Sequence, residues 1–177
     1  MKHLLAPLSF AALIGLSAFT AINSTNWTVA DGYSVKFTSK DPSGVFEEMK
    51  GTVVFDEKDL STASFNVAID VKSINCGNGM QNRHAVGEKW FDAEKYPEIT
   101  FVSRSVTKTA AGYDASGKLS LHGITTDFTI PFTFSASGDG GVFTGSFDVS
   151  RVAFGIGEAG GKVPDVLKLE VSVPVKR

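Results

Sequence analysis

The sequence predicts an all-β domain of eight or nine antiparallel strands with one short helix. Several segments, such as residues 64–71, alternate apolar and polar residues with the period of a half-buried strand. Turn signals such as Gly138-Asp139-Gly140-Gly141 separate these segments. One stretch, residues 80–101, breaks the alternation. Antiparallel strands joined by short turns close as a barrel or pack as a sandwich.

The first 21 residues have the layout of a secretory signal peptide. Lys2 and His3 precede an apolar run from residue 4 to residue 19, with small residues near its end. The run is short for a membrane span, which needs roughly 20 residues, and an uncleaved anchor is the alternative. We therefore expect residues 1–21 to direct the chain to the periplasm or the exterior. Residues 22–177 are expected to form a single mature domain.

The alternating segments define the strands in chain order. We expect strands at residues 27–30, 33–39, 45–55, 64–71, 99–107, 113–122, 127–134, 143–149 and 167–175. Turns are predicted at Asp31-Gly32, at residues 41–44 and at Gly123, and Gly51 predicts a bend or bulge within the third strand. The last strand would pair with the first, which would leave the sheet without open edges.

The helix is predicted in the one stretch without alternation. Met80, Ala85, Trp90 and Phe91 are apolar and are separated by polar residues. The step Tyr96-Pro97 ends any helix, because a residue before proline is pushed out of the helical region. An irregular element of this kind is expected to cover or gate one end of the β-structure.

Charge and cysteine content exclude two classes of protein. The formal net charge is −2 and no basic block is present, so nothing indicates binding to nucleic acid. Cys76 is the only cysteine, so the chain cannot form an internal disulfide and its fold must rely on core packing. We expect Cys76 to be a small, partly buried side chain at a strand end. A reactive thiol and an intermolecular bridge are the alternatives.

Patterns typical of catalysis and of metal binding are missing from the sequence. Outside the signal peptide there are two histidines, His84 and His122, and no metalloprotease, dithiol, nucleophile-elbow or phosphate-loop motif. We therefore predict no catalytic residue, no metal site and no catalytic cofactor. The alternative is an enzyme for a small apolar substrate with His84 or His122 as acid or base. That enzyme needs a carboxylate within hydrogen-bonding reach of the histidine.

A glycine-rich stretch at residues 151–161 interrupts the strand pattern near the C-terminus. It lacks a following helix, so it is not a dinucleotide-binding fingerprint. Its glycines permit a tight bend, and we expect Arg151 to donate hydrogen bonds to carbonyl groups of that bend. Contact between Arg151 and the head group of a ligand is the alternative.

Phenylalanine accounts for most of the aromatic residues, with 14 in the chain. These side chains recur on one face of several strands, where they form either a plain core or the wall of an apolar pocket. An apolar chain in such a pocket would gain roughly 0.8 kcal/mol for each buried methylene group. The predicted lining, which Trp90 and Phe91 would cap or flank, consists of Phe37, Phe46, Phe55, Phe65, Val67, Ile69, Phe101, Phe132, Phe134, Phe143 and Phe147.

Several segments resemble one known family, and they occur in the same order. They are WTVADGYSVKF from Trp27, VAIDVKSIN from Val67, KWFDAEKYPEITFVS from Lys89, GKLSLHGIT from Gly117 and RVAFG from Arg151. Over residues 27–175 the chain is similar to the YceI-like, polyisoprenoid-binding family of exported bacterial proteins. Residues 82–86 depart from the pattern, because they read Asn-Arg-His-Ala-Val where many members have Arg-Asp-x-His-Leu.

The resemblance implies a lipocalin-like antiparallel β-barrel that holds a long isoprenoid chain, such as a quinone tail, along its axis. It attaches no catalytic residue to that role. We therefore expect an exported lipid-binding protein for carriage, storage or stress response. Its expected partners are an isoprenoid lipid or quinone and, transiently, a membrane. A structural barrel with a filled core, and a cavity well under about 300 Å³, is the alternative. The oligomeric state stays open, a homodimer included.

Overall fold

The computed structural model describes residues 25–39 and 42–177, which fold largely as β-structure. The elements in chain order are β1 (Asn26–Val29), β2 (Ser34–Thr38), β3 (Gly44–Phe46), β4 (Met49–Val54), β5 (Ser64–Asp70), β6 (Ile74–Asn75), α1 (Gly79–Ala85), β7 (Glu98–Lys108), β8 (Tyr113–Leu121), β9 (Ile124–Ser137), β10 (Gly140–Ser150) and β11 (Val166–Lys176). The predicted signal peptide and the start of the predicted turn at 41–44 lie outside the described residues. In the described part, no helix has the length and apolar character needed to cross a membrane.

Eight strands form a closed antiparallel barrel. Their order around the ring is β1, β4, β5, β7, β8, β9, β10 and β11. The ring closes where β11 pairs with β1, with Thr28 opposite Lys176 and Val29 opposite Val175. The predicted pairing of the last strand with the first is therefore confirmed, and the sandwich is excluded. Closure pairs both edges of the sheet and removes the templates on which strands of other chains aggregate.

At three places in the barrel wall, two consecutive strands are separated by a short break. β1 and β2 are separated by the predicted Asp31-Gly32 turn, yet both pair with β11. β3 and β4 are separated by Glu47 and Glu48, and β5 leads into β6 through a 3₁₀ turn at Val71–Ser73. Beyond the breaks, β2 pairs with β3 and β3 pairs with β6, which extends the wall at one end of the ring.

The third predicted strand is thus two strands, and its break lies at Glu47-Glu48 rather than at Gly51. The Tyr33 hydroxyl spans this break, since it donates to the Glu47 carbonyl at 2.7 Å and accepts from the Met49 N–H at 2.8 Å. Gly51 lies inside β4 with φ +155°, where a side chain would come within 2.3 Å of the Asn66 carbonyl oxygen. Glycine is therefore needed for close approach to β5, and the pairing register stays continuous there.

The predicted helix is present and short. α1 begins after Asn78, whose side-chain oxygen accepts hydrogen bonds from two N–H groups of the first turn. It ends at Ala85, and residues 86–95 follow as a series of turns. The helix therefore ends well before the Tyr96-Pro97 step that is predicted to end it. β7 begins at Glu98, directly after Pro97 and one residue before its predicted start.

The two ends of the barrel differ in how they are filled. The mouth end carries α1, the turns after it and the segment 151–165 between β10 and β11. The opposite, closed end holds the aromatic plug, which consists of Trp27, Phe55, Phe65, Tyr113, Phe132, Phe134 and Phe143. Phe55 is at its centre and is 1% exposed. The Phe55 ring centroid lies 5.1–6.4 Å from those of five other plug rings, which are distances of packed aromatic pairs.

We expect Phe55→Ala to lower the free energy of unfolding by about 3–5 kcal/mol, because it empties the centre of the plug. The matched control is Phe128→Ala, in a half-buried residue of β9 whose ring meets that of Phe147 at 5.7 Å. Its loss is expected to be smaller, since less buried area is removed. Chemical denaturation followed by circular dichroism measures both. Equal losses would show that the plug does not dominate the core.

Candidate functional site

An apolar cavity of about 530 Å³ lies between the aromatic plug and the mouth end. Inward-facing side chains of the strands form its wall. On β11, inward-facing and outward-facing side chains alternate clearly. Its wall residues are Leu167, Leu169, Val171 and Val173. The intervening Lys168 and Glu170 are exposed on the outer face. The alternation of the strand therefore turns one face toward the cavity and the other toward water.

Most of the residues predicted to line a pocket do lie on this wall. They are Phe37, Phe46, Phe65, Val67, Ile69, Trp90, Phe91, Phe101, Phe132, Phe143 and Phe147. The other two, Phe55 and Phe134, belong to the plug behind the wall, where their rings lie 5.3 Å apart. They face inward as their position in the strands predicts, but they form a second packing layer below the cavity floor. That any of these residues contacts a ligand stays a prediction.

Sequence reasoning missed the aliphatic half of the wall. The missed residues include Val35, Ile74, Ile99, Leu119, Leu121, Ile130, Val149, Ile156 and the four wall residues of β11. The signal for several of them was present in the strand period. Val35 lies two residues before Phe37, and Val149 lies two residues after Phe147, so each shares a face with a predicted residue.

The mouth of the cavity is framed by aromatic residues of the turns after α1. The Phe91 ring meets the Phe46 ring edge-on at 5.8 Å. The Trp90 ring lies 5.6 Å from the guanidinium carbon of Arg151, a cation–π distance. A side chain at Gly157 (φ +63°) would approach the Trp90 ring to 3.0 Å. Glycine therefore lets the segment 151–165 lie directly on the tryptophan.

Arg151 holds the segment 151–165 in place. Arg151 is 3% exposed and is the one buried charged residue among residues 25–39 and 42–177. The guanidinium donates hydrogen bonds of 2.7–3.0 Å to the carbonyl oxygens of Ile156, Glu158, Val163 and Pro164 and to the carboxylate of Asp165. The predicted role in holding the bend is confirmed. The positive charge is neutralised by Asp165 and by carbonyl dipoles, which is what burial of an arginine requires.

Polar side chains of the wall lie toward the mouth. Gln81 and His84 of α1, Arg151 and Lys162 line the cavity there, and among the described residues no aspartate or glutamate belongs to the wall. Cys76 follows β6 and also lines the cavity. Burial raises the pKa of its thiol above the ordinary value, which disfavours the reactive thiolate. Cys76 is thus partly buried at a strand end, as predicted.

Neither histidine forms the pair with a carboxylate that an acid–base role requires. His84 is exposed at the rim of the mouth. His122 Nδ1 is hydrogen-bonded to the Phe154 carbonyl oxygen at 3.0 Å, and its ring meets the Tyr96 ring at 4.7 Å. In the part of the chain that the structure describes, no cluster of three or more His, Cys, Asp or Glu residues could hold a metal ion.

The chain matches a described family and curated relatives. A family model described as the YceI-like domain matches residues 14–175. The chain is 32% identical over 96 residues to Protein YceI of Salmonella arizonae, an overlap of 54% of this chain and 50% of that protein. An equal match is found to Protein YceI of Salmonella newport. The chain thus spans about half the length of the curated relatives it matches.

Solved structures share the barrel. BcnA of Burkholderia cenocepacia has a TM-score of 0.75 and 31% identity, over 80% of this chain and 95% of that chain. A polyisoprenoid-binding domain from Saccharophagus degradans, implicated in plant cell wall breakdown, has a TM-score of 0.64 and 15% identity, over 86% of this chain and 98% of that chain. The second likeness concerns the fold alone. Together they agree with the predicted lipocalin-like barrel.

Arg151→Met is expected to destabilise the protein by about 3–5 kcal/mol, because it removes the donor of several carbonyl groups and leaves the Asp165 carboxylate without its cation, with the Gly160 N–H as its remaining donor. Hydrogen exchange should show the loss first in residues 151–165. The matched control is Arg104→Met, which removes an exposed ion pair with Asp127 and should change stability by less than about 1 kcal/mol. Unchanged exchange in residues 151–165 would contradict the positioning role of Arg151.

Proposed function

The chain belongs to the YceI-like family, and from that membership and its apolar cavity we propose that it binds an isoprenoid lipid, such as a quinone or a polyprenyl compound, inside the barrel. The observation that carries the proposal is the cavity of about 530 Å³, whose wall consists of aliphatic and aromatic side chains. A polyisoprenoid-binding domain from Saccharophagus degradans has the same fold. An isoprenoid tail is the kind of ligand that such a wall suits, since it needs no hydrogen-bonding partner.

Burial of apolar surface supplies the binding free energy in this proposal. Each methylene group transferred from water contributes roughly 0.8 kcal/mol, so ten buried carbons give about 8 kcal/mol before the costs of association. The polar groups at the rim, Gln81, His84 and Lys162, leave room for a polar head group at the mouth. The tail would lie toward the plug and the head group toward solvent.

A structural barrel with a filled core is less well supported. It predicts a cavity well under about 300 Å³, whereas the cavity measures about 530 Å³. Side chains around an empty space of this size lose dispersion contacts, so the empty barrel is less stable than a filled one. A small-molecule enzyme that uses His84 or His122 as acid or base is not favoured either, because neither imidazole is paired with a carboxylate.

We further propose that the protein is exported and acts in the periplasm or outside the cell, in carriage, storage or stress response. The signal-peptide layout of residues 1–21 supports export. A transient membrane contact at the mouth end is supported by two apolar side chains that remain in water there, Met80 at 60% and Val166 at 52% exposed. N-terminal sequencing of the native protein tests export, and an intact N-terminus on a cytosolic protein would contradict it.

The experiment that tests the ligand is extraction of lipid from protein purified from its native host, followed by mass spectrometry. We expect an isoprenoid compound at close to one molecule per barrel. The matched sample is the same protein after delipidation, to which quinones are added back. Absence of any co-purified isoprenoid, together with no binding of added quinone, would overturn the proposal.

Leu169→Gln is expected to weaken quinone binding by at least about tenfold, because it places an amide against the tail, which offers no hydrogen-bonding partner. The matched control is Lys168→Gln, the adjacent residue of β11 that faces water, where affinity should stay unchanged. Titration by quenching of tryptophan fluorescence measures both, since Trp90 lies in the cavity wall. Equal affinities of the two variants would place the ligand outside the cavity.

A further inference from the structure

The cavity is longer on one side of the barrel than on the other. On the short side its wall runs from Ala115 to Leu121 on β8, from Phe143 to Val149 on β10 and from Leu167 to Val173 on β11, each roughly 20 Å along the strand. On the long side, β5 and its continuation β6, it runs from Phe65 to Cys76, roughly 30 Å. Strands of a barrel tilt by about 35–45° from the axis, so the depth along the axis is about 15 Å on the short side and about 23 Å on the long side.

A floor of packed aromatic rings ends the cavity. Phe65, Phe132 and Phe143 line its deepest level, and their ring centroids lie 5.2–5.8 Å apart. Phe55 lies behind them, 5.4–6.4 Å from each of the three rings. Rings at these distances are in contact, so a hydrocarbon chain cannot pass between them without unpacking the plug.

We infer that this floor limits the chain inside the barrel to about five or six isoprene units, an inference that rests on the proposed isoprenoid binding. An extended polypeptide spans 3.3–3.6 Å for three main-chain bonds, so a carbon chain extends about 1.2 Å per bond and an isoprene unit of four bonds about 5 Å. The long side of the cavity, about 23 Å along the axis or about 30 Å along the tilted wall, therefore holds about 25–30 main-chain and methyl carbons. An extended tail of eight units, about 40 Å long, would reach beyond the rim.

Units beyond this length have to leave through the mouth. The rim there carries the polar side chains of Gln81, His84 and Lys162. Extra isoprene units would therefore remain in contact with water and would gain no burial. They would also push a polar head group away from the rim. Binding should consequently be strongest when the tail just fills the depth between floor and rim.

The unaltered protein tests this inference with ubiquinones that carry one, two, four, six or eight isoprene units. Competition in native mass spectrometry ranks their affinities. Affinity is expected to rise about tenfold or more per added unit up to five or six units. It should then stay level or fall at eight units. A continued rise from six to eight units would overturn the length limit and leave the proposed function intact, whereas no binding at any length would overturn the proposed function itself.

Ala115→Leu tests the position of the floor. Ala115 is 2% exposed and lies at the deep end of the wall on β8, so a larger side chain there fills the bottom of the cavity. The optimum should shift toward shorter tails by about one isoprene unit. Ser116→Leu puts the same side chain on the outer face and should leave the optimum unchanged. Ala115→Val serves as the milder variant if Ala115→Leu does not fold, and an unchanged optimum in the folded variant would overturn the inference.

Discussion

The aromatic plug at the closed end is the interaction on which the rest of the structure depends. The only cysteine is free, so no internal disulfide supports the barrel, and its stability depends on core packing together with strand pairing such as that of β1 with β11. Phe55 brings together rings from β5, β8, β9 and β10, which are far apart in sequence. This contact joins strands on opposite sides of the ring, including the strands near the point where β11 returns to β1. With stability concentrated at that end, the other end can remain unfilled.

The mouth end is held together by a different kind of interaction. The segment 151–165 has little regular structure, so its backbone carbonyl groups lack partners in the sheet. Arg151 supplies donors to four of them and stacks on Trp90, which ties the segment to the turns after α1. At the mouth end, a single buried guanidinium thus holds the structure together, whereas at the closed end many packed rings hold it together. The difference follows from chemistry, because a loop presents polar backbone and a strand presents apolar side chains.

The strand period was enough to predict the closed barrel, its last-to-first pairing and the inward faces of the strands. It could not show where a strand is interrupted, because a break such as Glu47-Glu48 is stabilised by Tyr33 from another strand. It also could not tell wall from plug. Phe134 of the plug and Phe147 of the wall both face inward from the neighbouring strands β9 and β10, and only their height in the barrel separates them. Height depends on register and tilt, which the order of residues does not reveal.

An apolar wall recognises a ligand by size rather than by functional groups. A site that hydrogen-bonds its ligand rejects an analogue because a buried partner is left unpaired, whereas an apolar pocket discriminates by about 1–3 kcal/mol for each methylene group. The barrel wall therefore cannot distinguish tails of equal length by their chemistry. Selectivity for a head group has to lie at the rim, where Gln81, His84 and Lys162 line the cavity. The depth of the floor and the identity of the rim residues are thus two separate determinants, and each can vary among barrels of the same fold without changing the other.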